Sequence, residues 1–212
     1  GGDMMVLDGN PSDSHVFTEK NESQRYATQF SLINSNENRD FTIKNSISSF
    51  SRTLSIPDYL FDGLQLSSFT EASYFLHKKE GIDWQFGLNH YLEQFTENQS
   101  TNFPARDYSY NTIGGFAQNT TDLSEKTVLE SGLRTDYNKD FGVFILPRIS
   151  LLQKVNRNFN FRIGGAMGYK LPTMFTEDAE VLYYRNIQPI PIDQTKAETS
   201  IGGNLDLNYV TQ

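Results

Sequence analysis

Asn158–Phe175 reads NFNFRIGGAMGYKLPTMF, and its first half alternates polar and apolar residues without a break. Phe159, Phe161 and Ile163 fall on one side, Asn158, Asn160 and Arg162 on the other. Period-two alternation is the mark of a strand with two unlike faces. The stretch then thins through Gly164, Gly165 and Gly168 and stops at Lys170-Leu171-Pro172, because proline has no N–H to give to a ladder. A loop rich in Met, Phe and acid follows.

The same period recurs along most of the chain. Trp84, Phe86 and Leu88 alternate with Asp83, Gln85, Gly87 and Asn89, and Ile201, Leu205, Leu207 and Tyr209 alternate with Glu198, Asn204, Asp206 and Asn208. Helical periodicity is almost absent. About nine strands of roughly ten residues emerge, longer than the usual strand of a soluble sheet. Tight connections are expected at residues 35–38, 78–81, 123–126 and 155–158, and longer ones at 52–62, 95–110, 137–141 and 170–195. Short and long connections alternate, which is the form of an up-and-down meander with its tight turns on one side. Transmembrane β-barrels have that form. The polar faces carry ions of both signs, including Glu130, Arg134, Arg148 and Arg162, with Asn204 beside them, as suits a hydrated lumen. Phe41, Trp84, Phe159 and Tyr209 lie close to the tight turns on the apolar face, where an interfacial aromatic girdle belongs. The competing reading is a soluble β-sandwich or lectin-like binding module, which accounts for the aromatic loops but not for charges at alternate positions of long strands.

Composition narrows the partners. The 212 residues carry 18 Lys plus Arg against 26 Asp plus Glu, a net charge of −8, which argues against nucleic acid. There is no cysteine, hence no disulfide, thiolate metal site or thiol catalysis. His77 and His90 face opposite sides of adjacent strands, so no shared metal site is expected. No nucleophile elbow or phosphate loop occurs, and neither an enzyme nor a cofactor is expected. Asp8–Ser14 (DGNPSDS) clusters oxygen ligands of the kind Ca²⁺ takes, but lacks the twelve-residue loop with its terminal Glu, so it reads as a surface loop. Residues 1–22 read as a loop or flexible N-terminal segment, and 23–212 as a partial β-barrel domain.

Gly114–Tyr137 (GGFAQNTTDLSEKTVLESGLRTDY) and Leu146–Phe175 resemble the barrel of TonB-dependent outer-membrane receptors. The resemblance is carried by Phe116 and Gln118; Gly132, Leu133, Arg134 and Asp136; Pro147, Arg148 and Ser150; and Gly168, Tyr169, Pro172 and Thr173, with Lys170 where the family usually has Arg. It implies an all-β antiparallel meander in the outer membrane of a Gram-negative cell. Its partners would be outer-membrane lipid, a plug domain, the remaining barrel strands and, indirectly, TonB. The family's plug and TonB-contacting segment are not found in the sequence, and its barrels close with about 22 strands. An internal piece of such a receptor is therefore expected, with open edges that invite edge-to-edge self-association. The implied cargo is scarce: a siderophore, cobalamin or an oligosaccharide. Tyr169, Phe175, Tyr183, Tyr184 and Arg185, at and within the last long loop, are the candidate ligand contacts, and Glu130, Arg134, Arg148, Arg162 and Asn204 the candidate lumen lining.

Overall fold

The computed structural model describes residues 2–6, 18–78, 81–98, 105–175, 184 and 187–211. They form one antiparallel sheet of ten strands in sequence order. The strands are β1 (Gly2–Val6), β2 (Thr18–Asn36), β3 (Arg39–Ile56), β4 (Tyr59–Lys78), β5 (Ile82–Glu97), β6 (Tyr108–Ser124), β7 (Thr127–Asn138), β8 (Gly142–Lys154), β9 (Phe159–Lys170) and β10 (Glu198–Tyr209). Every strand pairs with its neighbour in the chain, so the all-β meander expected from the sequence is observed.

Three boundaries differ from expectation. Residues 1–22 were expected to be loop, yet β1 lies among them and β2 begins at Thr18. The long connection expected at 52–62 is a two-residue turn, Pro57–Asp58, between strands of 18 and 20 residues. Proline presets the first turn position, and Asp58 takes the left-handed conformation at φ 62°. The connection at 137–141 is also short, because the Asn138 carboxamide oxygen accepts from the amides of Asp140 and Phe141 at 2.9 and 3.2 Å. The long crossings that remain are 98–107 and 171–197.

The register places the two faces. Leu32, Ile43, Ala72 and Leu88 lie side by side on one face of β2–β5, and Leu151, Ile163 and Leu205 on the same face of β8–β10. This face is open: Leu88 is 69% exposed and Ile201 83%. An apolar surface of that extent needs an apolar solvent. Phe41 pairs with Tyr74 and Tyr74 with Phe86; Trp84 stacks on Phe86 at 5.7 Å; Tyr209 pairs with Phe159. All sit on this face near the tight-turn ends, so the aromatic band is present. Higher on β3 the same face turns hydroxylic, through Ser49, Ser51, Thr53 and Ser55. An apolar band about 25 Å tall takes roughly 9–11 tilted residues. The 20 residues of β4 run about 65 Å along the strand and, tilted in the same way, rise about 50 Å, so they continue far into water.

The other face curls inward, so that Gln65 of β4 and Tyr169 of β9 line one cavity. A buried apolar and aromatic cluster caps its upper end: Leu54, Tyr59, Phe61, Phe95, Tyr108, Tyr110, Met174 and Tyr184.

Candidate functional site

The inward face is built from the alternate residues that the outward face leaves free. On β5 these are Asn89, Tyr91, Glu93, Phe95 and Glu97; on β6, Tyr108, Tyr110, Thr112, Gly114 and Phe116; on β7, Glu130, Arg134, Asp136 and Asn138. Of these, Tyr91, Glu93, Phe116, Arg134 and Asp136 bound a cavity of about 790 Å³ together with Arg148, Tyr169, Lys170 and Thr173.

Two carboxylates organise it. Glu93 accepts from the Tyr91 hydroxyl at 2.6 Å, the Tyr108 hydroxyl at 2.8 Å and the Gln65 amide at 2.9 Å. Asp136, wholly buried, accepts from Arg134 Nε at 2.8 and 3.0 Å and from the Tyr169 hydroxyl at 3.0 Å. A buried carboxylate without such donors would be costly, and this one has three short bonds. Gly114 makes the space: a Cβ there would lie 2.0 Å from Asp136 Oδ1 and 2.7 Å from Asn89 Oδ1. Arg148 Nη2 pairs with Glu130 at 3.0 Å. Arg162 and Asn204 share a second recess of about 510 Å³ with Arg148, one strand further on. Glu130, Arg134, Arg148, Arg162 and Asn204 thus all lie on the inward side.

Above the cavity, the described residues of the 171–197 crossing fold onto the sheet. Thr173 meets the Tyr108 hydroxyl at 3.1 Å, and Phe175 stands edge-on to Phe50, Phe61 and Phe95. Tyr184 stacks on Phe61 with centroids 4.1 Å apart. Arg106 holds this arrangement. Its Nε bonds Glu97 at 2.7 Å, a second nitrogen meets the other Glu97 oxygen, and the guanidinium also donates to the Tyr184 and Ile187 carbonyls and to the Tyr59 hydroxyl. Burial alone would lower the Arg106 pKa, but the hydrogen bonds it donates to Glu97 and Tyr59 prevail and raise it, so the group stays charged.

Of the candidate ligand contacts, Tyr184 is buried and Phe175 packs in the aromatic cap, so both serve packing in this arrangement. Tyr169 reaches the cavity. Tyr183, Arg185, His15 and Asp8–Ser14 lie outside the described residues. His77 contacts Asp40 and Asp83 at 3.2 and 3.8 Å, while His90 bonds Asn111 on the opposite face. Sequence reasoning missed Tyr91, Glu93, Glu97, Arg106 and Tyr108. The alternation Tyr91-x-Glu93 and Tyr108-x-Tyr110 held the only signal, and it looked like ordinary strand pattern.

A family model described as TonB dependent receptor-like, beta-barrel, matches residues 6–209. The chain belongs to this family. It is a β-barrel segment of a TonB-dependent outer-membrane receptor. Among its relatives, the ferrienterobactin receptor of Escherichia coli (strain K12) is 27% identical over 104 residues, covering 44% of this chain and 14% of the relative. The ferric enterobactin receptor PirA of Pseudomonas aeruginosa is 26% identical over 96 residues, covering 45% and 13%. The crystal structure of the siderophore receptor PirA from Acinetobacter baumannii superposes with a TM-score of 0.64 at 15% identity, over 93% of this chain and 33% of that one. At that identity the likeness concerns the fold. The chain spans about a seventh of the length of the two curated relatives and a third of the solved structure.

Proposed function

We propose that this segment forms part of the wall of a receptor that imports a ferric siderophore of the enterobactin kind, with energy relayed by TonB. The observation that carries the reading is that both curated relatives are ferric enterobactin receptors. The site is compatible with it. The inward face is polar and hydrogen-bonded, the upper end is aromatic, and exposed Arg25 lies 5.0 Å from the Phe50 ring there. Cobalamin and oligosaccharide cargoes have no comparable support. In the whole receptor a plug would fill the space behind Glu130, Arg134, Arg148, Arg162 and Asn204, and further strands would pair with β10, which is exposed along its whole length. As an isolated piece, the same free edge would pair with another copy.

The test is radioactive iron uptake by cells whose only catecholate receptor is the full-length protein. Uptake of ferric enterobactin that disappears when TonB is deleted is the expected result. Binding and growth indistinguishable from the receptor-less strain would overturn the cargo assignment.

A further inference from the structure

The sheet is not continuous. β8 pairs with β7 along its length, from Gly142 to Gln153, but pairs with β9 only from Arg148 to Lys154. β9 meanwhile runs on to Lys170, bonded to β10 throughout. Above the Arg148–Ala166 pair, two neighbouring strands therefore both continue without pairing through their backbones. Pro147 stands where the ladder stops and has no N–H to extend it. At the same level β9 and β10 meet as Gly165 against Gly203, with no side chains to interlock across them. The large cavity lies along this gap, lined by Leu146 and Arg148 on one bank and by Ala166, Gly168 and Tyr169 on the other.

One side chain crosses it. By alternation Tyr169 belongs with Ile163 and Met167 on the outward face. Instead its ring stacks on Phe144 of β8 at 3.9 Å, nearly parallel, and its hydroxyl bonds Asp136 of β7 at 3.0 Å. The strands' upper halves are joined by a side-chain clasp where a backbone ladder would otherwise run.

We infer that the gap between β8 and β9 is a seam at which the barrel wall parts, and that Tyr169 is its catch. Backbone ladders open only by losing several hydrogen bonds together. A clasp made of one hydroxyl's hydrogen bonds, to Asp136 and Thr112, and one ring stack opens at far lower cost. Parting swings the upper halves of β9 and β10 outward together, with any strand paired beyond β10, because their own ladder is intact. The inward cavity then has a variable width, set by Tyr169, Phe144 and Asp136, while the wall below Arg148 stays fixed.

The described residues contain no cysteine, so paired spin labels can be placed in the full-length receptor after any thiols elsewhere are replaced, and read in lipid nanodiscs. Ile145→Cys with Ile201→Cys flanks the seam. Leu151→Cys with Leu205→Cys flanks β9 where the ladder is closed, and reports on the fold. With Tyr169 present, the upper pair is expected to show a broader distance distribution than the lower one. Tyr169→Phe removes the hydroxyl's hydrogen bonds and keeps the stack; Tyr169→Ala removes both kinds of contact. Each is expected to move the upper pair outward, Ala by about one strand spacing, roughly 5 Å, with the lower pair unchanged. An upper pair as narrow as the lower one and indifferent to Tyr169→Ala would overturn the seam. Equal broadening of both pairs would overturn the catch, since Tyr169 would then support the wall generally. None of these readouts depends on cargo, so they stand or fall apart from the transport assignment.

Discussion

Replacing Arg106 by Met should be among the most destabilising single changes in this segment. The Arg106 and Glu97 side chains are 3% and 7% exposed, and no solvent screens the carboxylate once its partner is gone. Removing one member of a buried pair typically costs about 3–5 kcal/mol. Arg106 also donates to the carbonyls of Tyr184 and Ile187 and sits 5.4 Å from the Phe61 ring, so the cap over the cavity loses its fastening as well. Replacing both residues, in Glu97→Met/Arg106→Met, removes the orphaned charge. What then remains is the loss of the bonds to the crossing, about 1 kcal/mol each, offset by added apolar contact. The double variant should therefore cost about 1–3 kcal/mol, less than Arg106→Met alone, with a coupling energy of about 3 kcal/mol or more. The assay is urea unfolding of the full-length receptor in lipid vesicles, followed by the mobility shift between folded and unfolded barrel, on all four corners of the cycle. A single variant costing under about 1 kcal/mol, or a double variant costing the sum of the singles, would refute the reasoning. Either result would mean that the pair is solvated.

Two further changes separate the faces and the network. Leu88→Arg puts a charge on the outward face of β5 and should cost about 2–4 kcal/mol in lipid if it lies near the midplane, whereas inward-facing Gln118→Arg should stay within about 0.5 kcal/mol; equal costs in vesicle unfolding would contradict the assignment of faces. Gly114→Ala drives a methyl into Asp136 and Asn89, and overpacking of this kind costs about 1–3 kcal/mol; the penalty should shrink in a Gly114→Ala/Asp136→Ala background, and a penalty that persists undiminished would show that the carboxylate is not what the glycine accommodates.

Much of the architecture was legible because period-two alternation is a local signal. Phe159 to Ile163 and Trp84 to Leu88 declare their faces within five residues, and the register carries that assignment from strand to strand. The same local signal misjudged the β3–β4 hairpin. Its upper half stands in water on the outward side, so Ser51, Thr53 and Ser55 supply no apolar stripe and the segment reads as loop. The strand is held there by ladder bonds and by inward packing of Leu54 against Phe61 and its neighbours, which only the fold reveals.

The site was less legible, for a reason that Tyr169 makes concrete. Alternation predicts which side a residue faces only while its strand keeps both neighbours. Once the β8–β9 ladder stops at Arg148 and Ala166, β9 is free to twist with β10 alone, and the outward assignment of Tyr169 lapses. Its destination is then decided by partners remote in sequence: Phe144 offers a ring, and Asp136 Oδ2, which Arg134 also meets, accepts from its hydroxyl. The same holds for Tyr184, which reads as an exposed loop aromatic until Phe61 and Arg106 are brought beneath it. Residues whose role depends on the curl of the sheet are hidden from a one-dimensional pattern, and in this chain they are the ones that shape the cavity.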